Sequence, residues 1–458
     1  MKTNLRYLCC GLLVVLCCGV AMAKEKGIAI SEEYPSYWAY KGKPTLLIGG
    51  SVEDNLFQIP NLEAHLDLLQ SVGGNYVRCT MSSRDEGNVW AFLKTEKGYD
   101  LEQFNPEYWQ RFEQFLKLTA ARDIMVQIEV WATFDFYQSR WPNNPFNPTV
   151  NINYTAEETG LPTVVDSHPV ATQNNFFWSV PAERNQKQVL KYQQKFVNKL
   201  LHHSLKYGNV LYCMDNETSV TAEWGKYWAT FMKERAAEKG VKIYTTEMWD
   251  PHNLDHPMHN NTFDHPETYD FVDISQNNHQ KGQQHWDNAQ KQRQRIAVQP
   301  RPLNCVKIYG SDAYNFGKDR DGIERFWRNV FGGMASARFH RPPAGLGLNE
   351  IVQAHLQSMR AVTERINIFN CEPHNDLLGD REENEAYCTA EPGKEYAVYF
   401  PQGGSVNLDL TPHAGKYFLQ WLNVDSSTWE ERSAVQGGAT IPLNAPSNGY
   451  WVAVVTQK

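Results

Sequence analysis

From about residue 45 to residue 366 the chain alternates short apolar runs with longer segments of helical period. Eight apolar runs, each ending in polar or turn residues, predict strands buried on both faces, as in a parallel sheet. They cover 45–48, 75–80, 124–131, 210–214, 241–246, 271–275, 305–309 and 335–339. Helical periods fall between them. One helix has Pro60 near its start, an apolar face of Leu62, Leu66, Leu69 and Val72, and Gly73-Gly74 as its stop. Another is capped by Asn105 with Pro106 at its first position, and buries Trp109, Phe112 and Leu116. Val189, Tyr192, Phe196 and Leu200 mark a third, and 224–238, 322–331 and 348–366 read as later ones. The Asn- and Pro-rich stretch 138–185 predicts a long irregular section, which is uncommon unless functional or disordered. Strand and helix in eight repeats predict an α/β fold, a (β/α)8 TIM barrel.

Near residue 370 the period changes to two. Runs at 396–400, 406–410, 417–421 and 450–455, separated by Gly, Pro and Asn, predict a small C-terminal antiparallel β-sandwich. At the other end, Lys2 and Arg6, an apolar core over 8–20 and Ala21-Met22-Ala23 have the form of a secretory signal peptide. The expected division is a signal over 1–23, a barrel over 24–372 and a sandwich over 373–458, exported to the periplasm or the cell exterior. No later stretch approaches the ~20 apolar residues of a membrane span.

Removing the signal takes away two basic residues, so the mature chain is more acidic than the net −8 of the whole sequence. That argues against nucleic acid or an anionic membrane as partner, since both select basic patches. Cys9, Cys10, Cys17 and Cys18 leave with the signal. Cys79, Cys213 and Cys305 sit in apolar runs and are expected as buried free thiols. Cys371 and Cys388 are close enough in sequence to pair in an oxidising compartment. No CxxC is present, which argues against a cysteine zinc site.

In a barrel the chemistry sits where strands end. The polar groups there are Glu53 and Asp54, Arg78 and Arg84, Glu129 with Trp131, Asn216 and Glu217, Glu247 with Trp249 and Asp250, Gln276, Asn277 and His279, Ser311 and Asp312, and His340 with Arg341. The run D-N-E at 215–217 suits glycoside hydrolysis, with Glu217 as general acid and base and the Asn216 amide on a sugar hydroxyl. Aromatic residues make up 12% of the chain, 14 of them Trp, enough to supply flat faces for sugar rings as well as core. His252, His256, His259 and His265 crowd one loop among Asp250, Asp255 and Asp264. Imidazole and carboxylate are metal ligands, but the spacings match no standard zinc pattern. Polar lining is the expectation, with no metal and no cofactor. Arg84, Arg338, His340 and Arg341 raise recognition of a uronic acid through charge-assisted bonds.

Three stretches carry a family resemblance: N-Y-V-R at 75–78, D-N-E at 215–217, and the C-terminal block containing Y-A-V-Y-F-P-Q-G-G, Q-W-L-N-V-D and P-S-N-G-Y-W-V-A-V-V. On these the mature chain resembles the clan A glycoside hydrolases, most of all the apiosidase-like branch, whose barrel is followed by a β-sandwich of the collagen-binding type. The resemblance implies that Arg78 holds the nucleophile, that Asn216-Glu217 carries the acid/base, and that a Glu ends strand seven as nucleophile. Here that strand reads V-K-I-Y-G-S-D-A-Y and has no Glu. Asp312 is the nearest carboxylate, and is expected beside Arg78 as nucleophile or base. Glu247, Asp250, Glu129 and Glu350 are the other candidate bases. A carboxyl pair at ~5–5.5 Å would retain and one at ~6.5–9.5 Å invert. Arg78, Asn216, Trp131, Glu247, Trp249, Asn277, His340 and Arg341 are expected to bind substrate. The implied function is an exported glycoside hydrolase acting on an oligosaccharide or polysaccharide of plant or dietary origin. Glu217 would be kept protonated by burial or a nearby carboxylate. The alternative is a carbohydrate-binding barrel that has lost its nucleophile.

Overall fold

The computed structural model describes residues 27–168 and 173–458. The expected signal over 1–23, with its four cysteines, lies outside them. Eight strands form, all but β7 overlapping the expected runs: β1 Leu47–Gly50, β2 Tyr76–Thr80, β3 Met125–Trp131, β4 Val210–Asp215, β5 Thr245–Thr246, β6 Val272–Asp273, β7 Leu303–Asn304 and β8 Ser336–Phe339; β7 pairs just ahead of the expected 305–309 run, which continues without regular pairing. Parallel pairing joins β2 to β3, β3 to β4, β4 to β5, β6 to β7, and β8 back to β1. Backbone bonds outside the regular ladders complete the circuit. Asn75 N–H donates to the Ile48 carbonyl, Asp270 N–H to Thr245, and Ala335 N–H to Leu303, each at 2.9 Å. The eight strands therefore form a closed ring with no free edge.

Helices lie between the strands: α1 Leu62–Ser71, α2 Pro106–Ala121, α3 Lys187–Ser204, α4 Ala222–Ala237, α5 Gly282–Arg295 and α6 Asp319–Phe331, with α7 Glu350–Thr363 after β8. Asn105 caps α2 as expected, its side chain accepting from Glu107 N–H at 3.1 Å. Helix α5 was not expected. Its run H-W-D-N-A-Q-K-Q-R-Q-R is too polar to show a face, and few of its side chains, Trp286 and Ala289 among them, are buried apolar ones. The fifth strand is also shorter than expected, because residues 241–244 approach β4 without regular pairing.

The amino-terminal end of the ring is plugged. A three-stranded antiparallel sheet of Ile28–Ile30, Trp38–Tyr40 and Lys43–Thr45 brings Trp38 under the strands, packed edge-on against Tyr244 and Phe271. Trp38 Nε1 donates to Asn304 at 2.9 Å, Asn304 to Tyr76 Oη at 3.1 Å, Tyr76 to Gln127 at 2.7 Å, and Gln127 to Asp273 at 2.8 Å. Every link is buried, so the chain of bonds satisfies polar groups that would otherwise be stranded in the ring interior. Space remains at the carboxyl ends.

The long section after β3 is ordered by its own amides. Asn144 Nδ2 donates to the Asp135 carbonyl, Asn147 to Trp141 and Thr163, and Asn174 to Phe136, at 3.0–3.1 Å. Side-chain amides replace the ladder that irregular backbone lacks, which explains the Asn content. The loop carries Phe146 and Phe176 onto Trp131, Phe176 also onto Trp224, and sets Phe136 against Phe176. Trp131, expected at the mouth, is thus a core residue, 1% exposed.

Beyond residue 386 the chain is antiparallel. Tyr387–Glu391, Glu395–Phe400, Trp451–Gln457 and Gly415–Asn423 pair in that order, and Ser405–Asp409 with Thr440–Asn444 belongs to a second sheet. Period two divides the first sheet. Tyr396, Val398, Phe400 and Val455 face an apolar cluster that includes Val406, Leu408 and Leu443. Tyr387, Ala397, Tyr399, Val452 and Val454 face the main core instead. Tyr399 stacks on Trp327 of α6 at 5.0 Å and 10°, and Ser358 of α7 donates to the Val424 carbonyl at 2.6 Å. All five described cysteines, including Cys371 and Cys388, are buried free thiols, so the possible pairing does not form. No helix among the described residues is long and apolar enough to cross a membrane.

Candidate active site

A cavity of about 310 Å³ opens at the carboxyl ends of the strands. It is lined by Asp54, Arg78, Arg84, Phe134, Arg140, Asn216, Glu217, Asp250, His252, His279, Lys307, Tyr309, Phe316, His340 and Arg341, among others. Every ring strand thus sends a group to it.

Glu217 follows β4 with φ at +54°, in the left-handed region that a non-glycine residue occupies only when its surroundings hold it there. It is 8% exposed. Lys307 Nζ, 1% exposed, and Tyr309 Oη, at 2.7 Å, both donate to its Oε1. Among the described residues nothing bonds Oε2. Burial pushes the Glu217 pKa up, but Lys307, Tyr309 and Arg78 outweigh it and hold the carboxyl well below the usual range. The expected protonated Glu217 is therefore reversed. The cause is Lys307, three residues past β7 in the run that the resemblance ends with a glutamate.

Asp312 does not enter the cavity. Its side chain is 68% exposed on a loop, where its backbone N–H donates to Asp319 at 2.8 Å and its Oδ1 accepts from Asp319 N–H at 3.3 Å. Arg78 turns to other carboxylates. Its Nε donates to Glu129 at 2.6 Å, its guanidinium lies 2.7 Å from Asp54, and it donates to Asn216 Oδ1 at 2.6 Å. Asp54 also meets Arg84 and Arg341, each at 3.1 Å. Burial alone would raise Asp54, yet the guanidinium groups of Arg78, Arg84 and Arg338 keep it well below its ordinary pKa.

Glu247 is likewise behind the wall, fully buried. Its Oε1 accepts from Asp215 N–H at 2.8 Å and Met248 N–H at 3.0 Å. Burial and the neighbouring Asp215 push Glu247 well above its usual range, and burial raises Asp215 likewise. The arrangement needs Gly225, because a Cβ there would lie 2.5 Å from Glu247 Oε2 and 2.6 Å from Tyr269 Oη. Trp249 is buried and donates to Thr262 at 2.7 Å, and Asn277 is buried and donates to the His285 carbonyl at 2.8 Å. Of the expected site residues, the structure brings together Glu217, Arg78, Asn216, His340 and Arg341. Asp312, Trp131, Glu247, Trp249 and Asn277 lie elsewhere.

The loop histidines separate. His252 stacks on His279 at 3.4 Å and 8°, His259 bonds the Pro251 carbonyl at 2.8 Å, and His265 meets Glu267. Among the described residues no three metal-ligating side chains gather. Burial, with His252 beside it, pushes His279 down to about 3, so it is neutral. Lys307 and Tyr309 are the groups that sequence reasoning passed over. Their signal was present: one lysine interrupts the otherwise apolar run 305–309 and stands two residues before a tyrosine.

Lys307 gives a pH prediction. A carboxyl with depressed folded pKa adds stability that is full above its unfolded value of about 4.3. That stability is lost as pH falls through the folded pKa. Glu217 should stay charged across the range where an ordinary Glu titrates. Lys307→Met should move its titration up to the usual range or beyond, as read by carboxyl-carbon NMR. An unmoved titration would show that Lys307 does not hold the charge.

No protein-family model matches the chain, and no curated protein sequence does. Solved structures do match. The crystal structure of a glycoside hydrolase family 5 protein from Bacteroides vulgatus ATCC 8482 superposes with TM-score 0.65 at 14% identity, over 95% of this chain and 93% of that one. A second, described as a glycoside hydrolase, gives 0.64 at 12% identity, over 95% and 97%. At these identities the likeness is one of fold, and this chain shares the fold of glycoside hydrolase structures over nearly its whole length.

Proposed function

We propose that the chain is an exported glycoside hydrolase, a (β/α)8 barrel over 24–372 with a β-sandwich over 373–458, acting on a plant or dietary glycan. The observation that carries this is Glu217, buried at the mouth and held ionised through one oxygen while the other takes no bond. An ionised carboxylate in that state serves as nucleophile or base. The second carboxylate is Asp250, which β5 brings to the same cavity and which His168 meets at 3.1 Å. Asp250 protonates the leaving oxygen, while Glu217 attacks the anomeric carbon or activates water according to the separation of the pair.

The test is cleavage of a panel of oligosaccharides, followed by the Asp250→Asn variant on whichever is cut. Loss of a general acid should slow that glycan by ~10²–10⁴-fold and spare an aryl glycoside whose leaving group needs no proton. Equal loss on both substrates would remove Asp250 from the acid role. A second reading, a carbohydrate-binding protein, is favoured by Lys307 in the place of a strand-seven glutamate. Glycan binding without any turnover would establish it over the first.

A further inference from the structure

Four of the five Arg and Lys side chains on the cavity wall are already paired. Arg78 and Arg84 meet Asp54 at 2.7 and 3.1 Å, Arg341 meets Glu53 at 2.7 Å, and Lys307 holds Glu217. The arginine expected to read a uronic acid from β8, Arg338, is buried and donates to Ser51 and to the Val306 carbonyl. Arg140 differs. It reaches the cavity from the short helical turn Gln138–Asn143 after β3 and is half-buried. Among the described residues its guanidinium has no ion pair or hydrogen bond. Asp135, which feels its charge, gives its own oxygens to Ser82 Oγ at 2.8 Å and Ser83 N–H at 3.0 Å.

The rest of the wall is suited to a sugar ring. Tyr309 and Phe316 lie 5.0 Å apart as an aromatic surface, and among the described residues the buried ring nitrogens His279 Nε2 and His340 Nδ1, the latter 3.6 Å from Asp54, have no hydrogen-bond partner. Neutral imidazoles of this kind match hydroxyls, whereas an unpaired guanidinium matches an anion, most strongly a planar carboxylate taken by both arms of its fork. We propose that the sugar unit bound in this cavity carries an anionic group, carboxylate or sulfate, that Arg140 recognises. This rests on the glycan reading above and names its substrate class.

The test is calorimetric binding to the full chain of three disaccharides: one ending in a uronic acid, its 6-sulfated counterpart, and the neutral counterpart reduced at C6. At least one anionic disaccharide should bind roughly 10–100-fold more tightly than the neutral one, the range for a hydrogen bond to a charged group. Arg140→Gln should abolish that preference and Arg140→Lys restore part of it. A preference for sulfate over uronate that still depends on Arg140 supports the proposal and assigns the anion. Equal affinity for all three, a preference untouched by Arg140→Gln, or binding of none overturns it. Binding is read without turnover, so a protein that prefers the anion but never cleaves it refutes the hydrolase and leaves this inference standing. One that cleaves neutral and acidic glycans alike does the reverse.

Discussion

Glu217→Gln is expected to slow glycan turnover by ~10²–10⁴-fold, the scale of a lost acid–base group, and more if Glu217 is the attacking nucleophile. The substitution keeps the shape of the side chain and an oxygen for Lys307 and Tyr309 to reach, so the cavity geometry survives. What it removes is the charge. Lys307 retains Asn216 Oδ1 at 3.1 Å, so the buried ammonium is not stranded, and stability should fall by only about 1–3 kcal/mol. Turnover and thermal unfolding measured on one preparation separate the two effects. Wild-type turnover in a folded Glu217→Gln protein would show that the reacting carboxylate lies elsewhere.

Ending the chain at residue 372 is expected to give an insoluble or unfolded product. The sandwich sheet has two apolar faces, and the one carrying Ala397, Tyr399, Leu422, Val424, Val452 and Val454 belongs to the same core as the ring and its helices. At roughly 1.5–3 kcal/mol per large buried side chain, losing that face forfeits on the order of 10 kcal/mol. A domain's whole net stability is about 5–15 kcal/mol. Trp327, fully buried against Tyr399, would be left facing water within an apolar patch large enough to drive association. Expression of 24–372 beside the 24–458 chain checks this by soluble yield and unfolding temperature. A monomeric, cooperatively folded 24–372 would show that the sandwich is an independent module.

The fold was legible wherever burial is regular. Strands enclosed on both faces are continuous apolar runs, and Val210 to Met214 could be read directly, as could the change to period two near residue 370. It failed at α5, whose surface is almost all polar, and at the loop after β3, whose order comes from Asn side chains bonding distant carbonyls. The site was legible in part for a different reason. Position at a strand end says which residues reach the mouth, and it found Glu217, Arg78, Asn216, His340 and Arg341. It does not say which way a side chain turns. Glu247 turns back to Asp215, Trp131 turns into an aromatic cluster, and Asp312 lies far enough past its strand to sit in solvent. The charge state of Glu217 was beyond reach altogether, since it depends on a contact with Lys307 across 90 residues.

Arg338 on β8 donates to Ser51 just past β1, a partner 287 residues earlier in the chain, and Arg341 reaches back in the same way to Glu53 and Asp54. A ribosome adding roughly 5–20 residues per second leaves β1 without its last neighbour for on the order of 15–60 s. Throughout that interval Asp54 has Arg78 and Arg84 but neither His340 nor Arg341, and the Leu47 N–H lacks the Ala335 carbonyl it will finally bond. The nascent protein therefore carries an unsealed strand edge until nearly three quarters of it has been made.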